Sequence, residues 1–166
     1  FIPQIYEELK LTKEDFNRAL FLIIGGLIKK AVISDYISSN FVDRVFDAPN
    51  SYTAFENLMA SYGYAIQIYC DFSGYSDIAI GLALLMGFWL PDNFRTPYQS
   101  GSITEFWRRW HISLTTWFRD YLYIPLGGSK GTKWFQVRNT FIIFLVSGFW
   151  HGASWTYVFW GFINAI

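Results

Sequence analysis

The chain holds two histidines and one cysteine, and the chemistry open to it follows from where they stand. His151 lies in Gly148-Phe149-Trp150-His151-Gly152, near the middle of a 28-residue stretch, Asn139 to Ile166, that contains no Asp, Glu, Lys or Arg. An ionisable group in such a stretch is costly unless something uses it. Ser147 stands four residues before His151 and Ser154 three after, so helical spacing predicts one polar stripe on an otherwise apolar helix. Gly148 and Gly152 leave room beside it for a neighbouring helix or a substrate to approach the backbone, with Trp150 adjacent. Desolvation keeps such an imidazole neutral and able to accept a proton, the role of a general base. The same residues also fit a hydrogen-bonded histidine that ties two helices together.

His111 belongs to Glu105-Phe106-Trp107-Arg108-Arg109-Trp110-His111-Ile112-Ser113. Trp107, Trp110, Leu114, Trp117 and Tyr121 recur at steps of three and four, which predicts an aromatic stripe on a helix suited to a membrane interface. Glu105 is placed to pair with Arg108 or Arg109. Alternatively Arg108, Arg109 and Arg119, with Arg95 nearby in sequence, could grip the phosphates of a nucleotide-like or phosphopantetheine donor. Asp71 and Asp77 flank an expected helix break; they serve either as caps or to position a histidine or a substrate hydroxyl. Cys70 has no basic neighbour in sequence and reads as a packed thiol rather than an acyl carrier.

These residues need elements to hold them. Thr12 and Asp15 form a capping-box pattern opening a helix to about Ile33; Tyr52 to Tyr69 reads as a second helix; Ser76 or Asp77 caps a third, ended by Pro91. Ser102 and Glu105 form another capping box, opening a helix to about Arg119. Pro125, Gly127 and Gly128 then mark a turn before a final helical region from about Trp134. Asn139 to Ile166 is long enough for one span of a hydrocarbon layer about 30 Å thick, whereas Asn57 to Cys70 and Ile78 to Pro91 are too short to span alone.

Composition agrees with a membrane setting, and apolar windows of this length also fit buried helices of a large soluble protein. Apolar residues make up 52% of the 166 and aromatic residues 22%, against 16% charged. Thirteen basic and thirteen acidic side chains cancel, so there is no field to hold a nucleic acid. A single cysteine excludes an internal disulfide and any site built on paired cysteines. No metal site is expected, and no glycine-rich phosphate loop, Gly-x-Ser-x-Gly elbow or His-Glu-x-x-His helix occurs. Positions 116 and 156 are threonine, so neither histidine begins a His-x4-Asp pair. The opening Phe1-Ile2-Pro3 leads to Glu7, Glu8, Glu14 and Asp15 rather than to a signal peptide. The start at Phe1 and the stop at Ile166 within an apolar run read as the ends of a single fragment, 1–166, of a longer protein.

The two histidine segments, the Asp71 to Asp77 stretch and Trp117-Phe118-Arg119-Asp120-Tyr121-Leu122-Tyr123-Ile124-Pro125-Leu126-Gly127-Gly128 together resemble the membrane-bound O-acyltransferase family. The similarity is greatest to its bacterial branch, which includes alginate O-acetyltransferases and relatives acting on other exported polysaccharides; D-alanyl transfer to teichoic acid is a more distant match. The resemblance implies an all-α, multi-pass protein of the bacterial inner membrane, with a tunnel in which an acyl group passes from a cytoplasmic donor to an acceptor hydroxyl. Family members are longer, so part of the tunnel wall is expected outside this chain. The family's near-invariant histidine falls on His151, and the second histidine of bacterial members on His111.

No permanently bound cofactor is implied. The donor, acetyl-CoA or an acylated carrier protein, is a co-substrate, and membrane lipid, a periplasmic or extracellular transfer protein and a polysaccharide acceptor are the implied partners. Ser147 and Ser154 are our own candidates for orienting the His151 ring. Direct transfer and a covalent acyl-enzyme both stay open. A transporter or channel with the same intramembrane histidine, or a scaffold for periplasmic proteins, is the rival from another class.

Overall fold

A computed structural model describes residues 2–6 and 11–166; Glu7 and Glu8 of the acidic opening lie outside the described residues. The described residues are helical and contain no strand. The chain divides into two compact units, Phe1–Arg95 and Thr96–Ile166.

In the first unit, α1 (Lys13–Leu27) begins at the expected capping box: Thr12 Oγ1 accepts from the Asp15 N–H at 3.1 Å, and the Asp15 carboxylate accepts from the Thr12 N–H at 3.2 Å. The helix does not stop near Ile33. It widens over Ile28–Ser34, continues through Asp35–Ile37, widens again over Ser38–Val42 and ends with Asp43–Asp47. Wide turns of this kind are rare and locally shift side chains around the helix.

The next element corrects the reading of residues 52–91. A second capping box, Thr53 with Glu56, starts α2 (Ala54–Leu85), a single helix of 32 residues. It passes through the Asp71 to Asp77 segment without a break, so neither Ser76 nor Asp77 is a cap, and it ends before Gly87, whose φ of 82° suits a glycine C-cap, rather than at Pro91. The carboxylates that looked like an interruption are met from the side. The Lys29 ammonium donates to Asp77 at 2.6 Å, and Lys30 donates to Asp71 and, at 3.1 Å, to Asp35. Pairing of this kind offsets the cost of a carboxylate in an apolar helix.

Close approach of the two backbones makes the pairs possible. A Cβ on Gly26 would lie 2.6 Å from the Gly74 carbonyl oxygen, and one on Gly74 would lie 2.7 Å from that of Gly26. Small residues at such a crossing let two helices touch. Ala19, Val42, Val45 and Ala60 are fully buried in this unit, and Cys70 is buried as the packed thiol it was read to be. Among the described residues α2 is the one helix long and apolar enough to cross a membrane; at 1.5 Å per residue it runs about 48 Å.

The second unit opens with α3 (Ile103–Arg109), where Ser102 Oγ accepts from the Glu105 N–H at 3.2 Å. The reciprocal bond is displaced by one residue, since Glu105 accepts from Gly101 N–H at 2.9 Å rather than from Ser102. The expected helix to Arg119 is broken. Trp110 is extended and His111 is left-handed (φ 45°, ψ 55°) before α4 (Ile112–Phe118) and a wide turn over Arg119–Tyr123. The aromatic stripe therefore does not run along one cylinder: Trp110 stacks on Phe106 at 5.5 Å, whereas Trp117 packs on Tyr121 at 5.4 Å.

A turn with Gly127 and Gly128 at positive φ follows. It is held by the fully buried Asn139, whose amide donates to the carbonyls of Leu126 at 3.2 Å and Gly128 at 3.0 Å. The uncharged stretch from Asn139 is a hairpin instead of one span: α5 (Lys133–His151), a break at Gly152 to Ser154, and α6 (Trp155–Ala165). Neither helix is both long and apolar enough to cross a membrane. The two helices pack through glycine, with a Cβ on Gly148 reaching 2.3 Å from the Tyr157 carbonyl oxygen and one on Gly161 reaching 2.3 Å from that of Phe144.

Candidate functional site

Both histidines sit where a helix is interrupted. His151 is the last residue of α5, and His111 is the residue at which the chain turns between α3 and α4. Folding of the second unit brings them to one indole. Trp150 packs edge to face on His151 with centroids 4.9 Å apart, and its ring lies 6.3 Å from that of His111. Tyr157 stacks on His151 at 6.2 Å and 27°, and Trp160 meets it edge to face at 5.2 Å and 77°. Ring burial lowers the basicity of both imidazoles. His111 is pushed down to about 4 by burial first and by the nearby His151 second; His151 is lowered from the usual 6.5 by burial. Two neutral imidazoles in this setting can accept a proton or donate an N–H to a developing negative charge.

The backbone at His111 is strained. A left-handed conformation costs a residue other than glycine about 1–2 kcal/mol, and asparagine tolerates it better than most. The break is supported by Thr115, whose hydroxyl donates to the Trp110 carbonyl at 3.2 Å and whose N–H donates to that of His111 at 3.0 Å. We expect His111→Asn to keep the melting temperature near wild type and His111→Val to lose an additional ~2 kcal/mol of stability, which thermal unfolding in detergent checks.

The remaining sequence candidates separate. Ser147 is buried four residues before His151 on α5. Ser154 is not part of a stripe with it, because the helix ends at His151 and Ser154 instead caps α6, accepting from the Thr156 N–H at 3.4 Å. Arg109 donates to Glu105 at 2.6 Å and to the Thr96 hydroxyl at 3.2 Å; Arg119 donates to Asp120 at 2.7 Å; Arg108 is exposed. Glu105 is held below the usual carboxylate range by the Gly101 N–H and then by Arg109. Asp71 and Asp77 lie in the first unit, each engaged by a lysine there. Among the described residues no three His, Cys, Asp or Glu side chains come together as a metal-ligand set.

Sequence reading missed Tyr157 and Trp160, and gave Trp107, which packs on Trp160 at 6.0 Å, only a place in an aromatic stripe. Tyr157 and Trp160 lie six and nine residues beyond His151, offsets that no continuous helix places against it. The one signal available was Gly152-Ala153-Ser154, a stop followed by a capping residue.

Residues 3–166 match the family described as MBOAT, membrane-bound O-acyltransferase. The chain is 48% identical over 150 residues to the probable alginate O-acetylase AlgI of Pseudomonas aeruginosa, an alignment covering 90% of this chain and 28% of the relative. It is 46% identical over 147 residues to the peptidoglycan O-acetyltransferase of Helicobacter pylori, with 89% and 28% covered. The teichoic acid D-alanyltransferase of Bacillus subtilis is 32% identical over 171 residues, with 96% and 43% covered. The chain thus spans between roughly a quarter and two fifths of the length of these curated relatives.

Proposed function

The chain belongs to the membrane-bound O-acyltransferase family, whose members are membrane proteins, and from that premise we propose that it carries the histidine centre of an enzyme that O-acylates an exported polymer. The relatives named for O-acetyl transfer, to alginate and to peptidoglycan, are 48% and 46% identical, higher than those named for D-alanyl transfer at 32% and 40%. That ordering favours acetyl as the group moved. The observation that carries the reading is the convergence of His111 and His151, forty residues apart in sequence, on Trp150, with the basicity of both rings lowered.

In the proposed reaction, an acceptor hydroxyl attacks the carbonyl carbon of an acyl thioester, acetyl-CoA or an acylated carrier protein. Neutral His151 takes the hydroxyl proton as the C–O bond forms. The C–S bond then breaks, and the proton passes to the departing thiolate, giving ester and free thiol. General-base help supplies about 10²- to 10⁴-fold in rate, and alignment of the reactants with stabilisation of the oxyanion supplies the rest. His111, beside the same indole, takes the role of donor to that oxyanion in this reading. The whole protein is proposed to be a multi-pass protein of the bacterial inner membrane, with the donor on the cytoplasmic side and a periplasmic partner and polysaccharide beyond.

Membranes carrying the full-length parent, supplied with acetyl-labelled thioester and a polysaccharide acceptor, should release thiol and label the polymer in equal amounts. The acid limb of that activity should lie below pH 6.5: a base lowered by burial stays unprotonated, and so active, until the pH falls through its depressed pKa. Movement of a solute across the membrane with no thiol release would instead place the histidines on a transport path.

A further inference from the structure

His151 occupies the C-terminal end of α5, where the negative end of the helix dipole favours the protonated imidazolium. A base at this position needs something to oppose that pull and to hold a ring that is free to turn at a helix end. Trp150 and Tyr157 bound it on two sides. The third wall is Trp160 of α6, whose indole meets the imidazole edge to face at 5.2 Å and 77°.

Trp160 is itself fixed from behind. Trp107 of α3 packs on it at 6.0 Å and 87°, and Trp107 rests on Phe144 of α5 at 5.4 Å and 64°. Three helices are thereby joined through one ring relay. Trp107 holds its place at a cost, because its indole N–H is buried with no acceptor among the described residues. The backbone under Trp160 is equally constrained, since Gly161 is buried and lies against the Phe144 carbonyl with no space for a Cβ.

We propose that Trp160 is the positioning residue of the His151 base: its edge-to-face contact fixes the plane of the imidazole. This rests on the reading of His151 as the base. It gives the Trp107 to Phe144 packing a purpose beyond stability, because that packing sets where Trp160 stands.

The test uses the full-length parent in membranes, with Trp160→Ala, Trp160→Phe and His151→Gln compared by thioester turnover from pH 5 to pH 8. The titratable groups around His151 among the described residues are His111 and Tyr157; His111, lowered to about 4, is mostly neutral over that range. Trp160→Ala should lower kcat on the order of tenfold, leave both KM values within about twofold, and move the acid limb of the pH profile upward by about half a unit or more as the ring loses the indole's share of its desolvation and the helix end favours its protonated form. Trp160→Phe should restore most of the rate and the original limb. If Trp160→Ala does not accumulate, Trp160→Leu keeps most of the apolar volume while removing the ring edge and carries the same expectation. An unmoved acid limb in an accumulated Ala or Leu variant, with His151→Gln inactive, overturns the proposal and leaves the base in place. Turnover in His151→Gln overturns the base assignment itself.

Discussion

Replacing His151 with glutamine in the full-length parent should lower polymer O-acylation by about 10²- to 10⁴-fold, the range that a positioned general base contributes. Glutamine keeps much of the imidazole's size and a hydrogen-bonding end but cannot take a proton at neutral pH. The expected result is therefore loss of kcat with normal abundance in the membrane and normal polymer export. His151 packs on Trp150, Tyr157 and Trp160 by ring contacts, which an amide only partly replaces, so a modest fall in melting temperature should accompany the loss. Acetyl content of the exported polymer, measured beside protein abundance, separates the two effects. Acetylation that persists near wild type would remove His151 from the chemistry and move attention to His111.

The second large effect concerns the hairpin that carries His151. Gly148→Ala and Gly161→Ala each place a methyl group 2.3 Å from a backbone carbonyl oxygen, of Tyr157 and Phe144 respectively. No side-chain rotation relieves a clash with backbone, so α5 and α6 must move apart. Each change should cost about 3 kcal/mol or more, at or beyond the upper end of overpacking. Gly25→Ala is the control: nothing lies within 4 Å of its added Cβ, and alanine is the better helix former, so it should be neutral or stabilising by up to about 1 kcal/mol. Thermal unfolding of the three variants in one detergent decides the matter. Equal melting temperatures would mean that α5 and α6 do not hold the spacing described.

Residue types alone exposed much of the candidate site. Two histidines in uncharged or aromatic surroundings, and glycine three residues before and tryptophan beside His151, are local features, and the structure places both rings against the Trp150 indole. The Thr12 and Asp15 capping box, the turn at Pro125 to Gly128 and the start of α5 near Trp134 were equally local, because each is fixed by hydrogen bonds or dihedral limits within a few residues.

The misreadings share one cause. Asp71 and Asp77 looked like the end of a helix because a carboxylate in an apolar run is unfavourable on its own; Lys29 and Lys30, some forty to fifty residues earlier, remove that penalty only after α1 and α2 have packed. Conversely, 28 uncharged residues looked like one span, and the composition contains nothing that forces the break at Gly152 to Ser154. Glycine at 148 and 161 makes the folded-back arrangement possible by letting the helices touch, a gain that only the pair of helices together can show.

The sequence by itself determined that the chain is helical and apolar, that its histidines are His111 and His151, and which family its motifs resemble, since these depend on residue identity and short spacing. Tertiary structure decided that α2 is one helix, that the last apolar stretch is a hairpin, that His111 stands at a left-handed break, and that Tyr157, Trp160 and Trp107 form or support the wall around His151. Those outcomes depend on contacts between segments distant in the chain, whose energies appear only when the segments meet.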